Sequence, residues 1–194
     1  MKIDTDLKKR ASKVDRDKNE SGWMSEIEGI VHDKPRKLRG DRVNAIYFEE
    51  AGSDPELEKT YIQSEALVKT GGKRIGSRYL FGTGGDSGPA LAAMNKMFYN
   101  PEAYKILPYK NTYGQSGDVQ FTGFFIPAYS MWFGDDKGTK GFDSRGVVNE
   151  EAAKEYFIKE FSTVKDPHTL LISKAEFCFT PEDAFIMEGS NRFD

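Results

Sequence analysis

The stretch Val43-Asn44-Ala45-Ile46-Tyr47-Phe48-Glu49-Glu50 decides the reading of this chain. A short run of mostly apolar, β-prone residues leads directly into two adjacent carboxylates. A run of this length and composition is a strand. It lacks polar alternation, so it is expected to be buried on both faces, as strands of parallel sheets are. Downstream, Ser53-Asp54-Pro55-Glu56 predicts a helix start. Ser53 and Glu56 have capping-box spacing; if Asp54 caps instead, Pro55 takes the first helical position. The helix is expected to reach about Lys69, burying Leu57, Tyr61, Ile62, Leu67 and Val68, with Gly71-Gly72 ending it. Arg74 to Phe81 reads as the next strand, with Gly82-Thr83-Gly84-Gly85-Asp86 at its C-terminal end. A crossover of this length between two strands predicts a right-handed βαβ unit with parallel pairing. The fold class is therefore α/β, a parallel sheet with flanking helices.

In open parallel sheets, ligands bind beyond the carboxyl ends of the strands. Glu49 and Glu50 sit at such an end, and successive residues leaving a strand point to different sides. One carboxylate can face a hydrated Mg²⁺ while its neighbour faces an attacking water. Nucleotide hydrolysis needs that division of labour. An apolar strand followed by two acids is a Walker B signature; two solvated acids after a strand would look the same. Gly82 and Gly84 flank Thr83 at the end of the next strand. If the strands pair, this turn and the acid pair share one edge. Glycine lets backbone approach a phosphate closely, and the Thr83 hydroxyl can orient phosphate chemistry. The alternative is a plain strand–helix turn. No G-x-x-x-x-G-K-[ST] occurs in the sequence, and Gly82-Thr83-Gly84 does not complete G-x-G-x-x-G, because Ser87 stands in the last position.

Composition agrees with a packed domain. The chain has 194 residues, 38% hydrophobic and 13% aromatic, which argues against a wholly disordered protein. Its 28 Lys and Arg nearly balance 31 Asp and Glu, so no strongly basic nucleic-acid binder is indicated. The balance is uneven, since residues 1–42 hold 12 basic against 9 acidic side chains. One cysteine, Cys178, rules out an intramolecular disulfide, and His32 and His168 match no metal spacing. No apolar run approaches the ~20 residues of a membrane span, and no signal peptide opens the chain, so a reducing cytoplasm is expected.

Outward from the centre, Ile3, Leu7, Ala11 and Val14 are spaced as a thin amphipathic helix or belong to a solvated end. Residues 24–31 read as a strand, and Arg36, Lys37, Arg39 and Arg42 mark a basic loop, which reads first as solvated and otherwise as a phosphate or DNA contact. A helix is expected from Pro89 to Tyr99, with strands at 104–109 and 121–129. Asp135, Asp136 and Asp143 belong to a Gly-rich loop without EF-hand spacing. A helix runs from Asn149 to about Phe161, Phe177 to Phe179 is a short strand, and Thr180-Pro181-Glu182-Asp183 opens a last helical turn. Cys178 reads as a buried structural thiol. Trp132, Phe133, Phe124 and Phe125 read as core or interdomain packing rather than base-stacking groups.

The run Arg39–Ser53 (RGDRVNAIYFEEAGS), then Leu80–Asp86 (LFGTGGD), Gly123–Tyr129 (GFFIPAY) and Phe179–Phe185 (FTPEDAF), resembles the large terminase subunit of tailed bacteriophages, over about residues 22–189. That resemblance implies an ATP-driven motor that packages viral DNA into procapsids. It implies a partial ASCE-type P-loop NTPase fold that lacks the Walker A strand and loop. Residues 1–21 would be a polar extension, 22–186 the partial ATPase domain and 187–194 the start of a linker toward a missing nuclease domain. Glu49 would be the metal-side acid for Mg²⁺ and Glu50 the catalytic carboxylate. Thr83, with Gly82 and Gly84, would form the coupling motif. Arg39-Gly40 matches an Arg-Gly step before Walker B, with ATP as cofactor. Implied partners are double-stranded viral DNA, the portal protein, the small terminase subunit and a homo-oligomeric ring, with no membrane, in the host cytoplasm. The missing Walker A would reflect a split gene with a separate upstream chain carrying it, a truncated reading frame or an incomplete sequence, and would leave the coupling strand unpaired on one side. The alternative is a non-catalytic assembly module. An unrelated carboxylate-pair hydrolase fits less well, since glycosidase acids must flank a bond at ~5–9.5 Å.

Overall fold

The computed structural model describes residues 6–14, 20–30, 42–84, 88–115, 119–136 and 138–186. The chain divides into two units, Met1–Asp41 and Arg42–Asp194. In the first, β1 (Asp6–Val14) and β2 (Glu20–Ile30) form an antiparallel hairpin, in register from Asp6↔Ile30 to Val14↔Glu20 with a shift between Ala11 and Ser12. The strand expected at 24–31 is present and longer, and the helix allowed for the N-terminus gives way to β1. The ladder comes from the neighbouring strand β2, which the apolar spacing within residues 3–14 alone does not show.

The second unit is mixed α/β with a small parallel sheet. Its strands are β3 (Ala45–Phe48) and β6 (Ser77–Leu80), paired from Ala45↔Ser77 to Phe48↔Leu80. Between them lie α1 (Leu57–Ser64) and a tight hairpin of β4 (Lys69–Thr70) and β5 (Lys73–Arg74). The helix starts later than the capping signals suggested. Asp54 forms a turn, its Oδ1 accepting the Glu56 N–H at 2.9 Å and its carbonyl accepting the Leu57 N–H at 3.0 Å. The helix also stops early, giving way to a 3₁₀ turn at Glu65–Val68. Gly71 (φ 54°) and Gly72 (φ 81°) are the two-residue hairpin turn, not a helix cap. Two successive positive φ values are what a type I′ hairpin turn demands.

Phe48 and Leu80 pack on a core of Ala51, Leu57, Tyr61 and Met97, to which α1 and α2 (Pro89–Tyr99) contribute. The expectation of a strand buried on both faces fails here. Both strands alternate exposed and half-buried. On the open face Tyr47 (66% exposed) stacks on Tyr79 (48%), ring centroids 5.0 Å apart and 13° from parallel. Phe81 meets Tyr47 edge-on at 6.5 Å. Among the described residues the sheet has no third strand.

The two further strands expected at 104–109 and 121–129 do not join it. Residues Pro101–Tyr104 form a 3₁₀ turn, and β7 (Tyr109–Asn111) pairs antiparallel with β8 (Gln120–Thr122). The ladder stops at Gly123. That residue presses on Phe98, where an added Cβ would stand 2.7 Å from a ring carbon, and its N–H bonds the Phe98 carbonyl at 2.7 Å.

Beyond a 3₁₀ turn at Ala128–Met131 and a loop pinned by the bridges Gly134↔Lys140 and Phe142↔Val148 come α3 (Glu150–Thr163), α4 (Pro167–Glu176) and α5 (Pro181–Ala184). Asn149 caps α3, accepting the Ala152 N–H at 3.2 Å. Asp166 caps α4, accepting from Thr169 N–H and hydroxyl at 2.7 Å each. That helix has no counterpart in the sequence reading. The strand expected at Phe177–Phe179 is the α4–α5 connection instead, held by the Ala128 N–H on the Cys178 carbonyl at 2.9 Å. Thr180 and Asp183 complete a capping box for α5, as their spacing predicted. Tyr129, Trp132, Ala153 and Phe157 form a second core with Tyr156, Phe161 and Phe179 around it. Of the four aromatics expected inside, Phe125 and Trp132 are buried, whereas Phe124 and Phe133 are exposed.

Candidate functional site

Parallel pairing decides where the site residues lie. The ladder continues past the strands, with Phe81 N–H on the Phe48 carbonyl and Ala51 N–H on the Phe81 carbonyl, each at 3.1 Å. Glu49-Glu50 and Gly82-Thr83-Gly84 therefore leave the sheet side by side on one rim, the C-terminal one. That is the juxtaposition the sequence anticipated for these two turns.

Glu50 takes a left-handed conformation (φ 50°, ψ 44°). Such a backbone costs a non-glycine residue of order 1 kcal/mol, and residues held this way concentrate at functional sites. What holds it is backbone packing. An added Cβ on Gly82 would stand 3.0 Å from both the Glu50 Cα and the Ala51 N, and one on Gly52 would stand 2.8 Å from the Thr83 carbonyl oxygen. On its far side Gly84 lies so close to α5 that a Cβ there would overlap the Ala184 carbonyl oxygen. The space left by these missing side chains is filled by protein backbone. Any ligand contact at Gly82 and Gly84 is thus made by their N–H groups rather than through a cradle of vacant Cβ positions.

The Glu49, Glu50 and Thr83 side chains are exposed. No base pairs with either acid among the described residues. Thr83 Oγ1 lies 3.4 Å from Glu176 Oε1, at the last residue of α4. The sequence reading missed Glu176, which is 93 residues away and lies on a helix that reading did not contain. Arg39 lies outside the described residues, as do Gly85, Asp86 and His32. No three His, Cys, Asp or Glu side chains among the described residues are grouped closely enough to hold a metal ion. A cation at this rim would therefore be held through water or with groups from elsewhere.

The remaining candidates resolve as structure. Asp143 accepts the backbone N–H groups of Arg145 (2.8 Å) and Val147 (3.0 Å), which hold its carboxyl below the usual range, so it anchors a loop. Asp135 Oδ1 accepts the Thr139 N–H at 2.8 Å. Burial pushes the Cys178 thiol up to about 11, as expected of a structural cysteine. His168 is exposed in the first turn of α4. No helix among the described residues is long and apolar enough to cross a membrane.

Comparison with protein-family models, with characterised proteins and with solved structures gives no match to this chain.

Proposed function

We propose that the chain supplies the carboxylate side of a nucleotide-phosphate hydrolysis site, the Walker B and coupling segments of a DNA-packaging motor ATPase of the large-terminase type. One observation carries this reading: the in-register parallel pair that sets Glu49-Glu50 beside Gly82-Thr83-Gly84 on a single rim. The strained Glu50 backbone and the absence, among the described residues, of a base paired with either acid support it.

In this reading Glu49 holds hydrated Mg²⁺ through water, and Glu50 orients the attacking water and takes its proton. Thr83 donates a hydrogen bond from its hydroxyl to a phosphate oxygen, and Gly82 and Gly84 offer N–H groups. Bound Mg²⁺–ATP supplies the phosphoanhydride bond to be cleaved. Residues 1–194 carry no Lys-bearing phosphate loop, so the reading needs a G-x-x-x-x-G-K-[ST] segment supplied from outside this stretch. Double-stranded DNA, a portal protein, a small terminase subunit and a ring of like subunits are the partners that this motor would engage.

A second reading, a non-catalytic docking module, is favoured by the open Tyr47–Tyr79–Phe81 face. Parallel sheets are ordinarily covered on both faces. Heating the chain with millimolar Mg²⁺–ATPγS separates the two. Weak binding raises the melting temperature by about 1–3 °C in the motor reading, and Glu49→Gln removes that rise. The chain alone turns ATP over poorly or not at all, and a phosphate-loop polypeptide restores turnover that Glu50→Gln abolishes. An unchanged melting temperature, or a rise indifferent to Glu49→Gln, leaves the docking module.

A further inference from the structure

Glu176 is placed against helix physics. It is the last residue of α4, where unsatisfied carbonyls make the helix end negative and a basic side chain is preferred. Here an acid stands there, on the same rim as Glu49 and Glu50, and among the described residues no base pairs with it. Its hydrogen-bond partner is the Thr83 hydroxyl, at 3.4 Å. The neighbouring residue is fixed as well, because Gly84 has no room to move toward Ala184 in α5. The glycine turn is thus seated on the C-terminal helices at two consecutive positions, one by packing and one by a long, exposed hydrogen bond.

A threonine hydroxyl has one proton to give. It can be donated to the Glu176 carboxylate or to a phosphate oxygen, but not to both. The Glu176 charge also repels an approaching phosphate. We propose that Glu176 is a latch on Thr83: in the resting chain it accepts the hydroxyl's hydrogen bond and disfavours anion entry, and phosphate binding takes over that hydrogen bond and frees the end of α4. The proposal rests on the reading of the rim as a phosphate site. Glu176 acts through Thr83 and by charge, so it is a positioning residue.

The test is a titration of the full chain with Mg²⁺–ATPγS, read by thermal shift, alongside hydrogen exchange at the last turn of α4, where the Phe177 N–H bonds the Ser173 carbonyl at 3.0 Å. Glu176→Ala is expected to tighten binding about three- to tenfold, the size of one nearby like charge plus a competing acceptor. Glu176→Gln, whose amide oxygen still accepts, tightens it less. In a Thr83→Val background the gain from Glu176→Ala shrinks to about twofold, which isolates the shared hydroxyl. In the wild type, nucleotide speeds exchange at the Phe177 amide. A merely structural Glu176 would give the opposite sign, weaker binding on truncation. Unchanged or weaker binding in Glu176→Ala, or the same gain with and without the Thr83 hydroxyl, overturns the latch. Binding that needs Glu49 but ignores Glu176 overturns the latch alone. No binding by any variant overturns the latch together with the phosphate reading.

Discussion

The two apolar clusters of the larger unit are built on opposite plans. The C-terminal one is closed, with Tyr129, Trp132, Ala153 and Phe157 buried and rings meeting rings on several sides. Tyr129 lies 5.3 Å from Phe179, Trp132 5.4 Å from Tyr156, and Phe157 5.3 Å from Phe177. The cluster under the sheet is one-sided. Phe48 and Leu80 are packed, while Tyr47, Tyr79 and Phe81, the alternate residues of the same strands, face outward. The first cluster is complete within this chain. Among the described residues the second leaves an aromatic face without a covering layer, and no base pairs with the acids on its rim.

Four substitutions sharpen or break that contrast. Phe157→Ala, in the closed cluster, is expected to cost about 3–4 kcal/mol, measured as loss of unfolding free energy in denaturant. A cost below about 1 kcal/mol would mean the C-terminal helices do not depend on this ring. Gly84→Ala, at the rim, should cost about 2–3 kcal/mol, since its Cβ must displace α5; thermal unfolding that matches the wild type would refute the packing of turn on helix.

Next in size is an acid effect confined to the sheet side. Hydrogen bonds from Lys105, then Lys69, hold the Glu65 carboxyl at about 2. Its pKa is lower folded than unfolded, so its stabilisation is complete above the ordinary value near 4.5 and lost as pH falls toward 2. The pairs are partly exposed, so the loss is about 0.5–1 kcal/mol. Glu65→Gln should flatten the stability curve between those pH values, and an unchanged slope would rule the pairing out. Smallest is Tyr79→Ser on the open face, expected to change the unfolding free energy in denaturant by no more than about 0.5 kcal/mol. A large stability loss there would show that the face is covered.

Much of this was legible where a local signal matched a local structure. Pro89 at the first helical position and the aliphatics after it gave α2 its bounds, and the Asn149 cap gave α3. The acid doublet and the glycine turn were placed together because a strand–helix–strand order implies parallel neighbours. Legibility ended where one signal serves two structures. Gly71-Gly72 supplies positive φ to a hairpin as readily as to a helix end. An uninterrupted VNAIYF run reads as doubly buried, yet tyrosine tolerates a wet face, so covering depends on what lies outside the strand. Glu176 was hidden twice, by its distance from Thr83 in sequence and by the weak amphipathicity of PHTLLISKAE.

The parallel register also sets an order of events when the polypeptide first folds. Ala45 meets Ser77 only after the intervening segment has looped back, and such long-range closure carries its entropic penalty before any contact rewards it. The hairpin at Gly71-Gly72 and the eight-residue helix α1 make only local contacts, marginal in isolation, and can shorten that search as transient structure. The rim is then among the last parts of the unit to assemble, and until it does, the tyrosine-bearing strand edges stay open to neighbouring molecules.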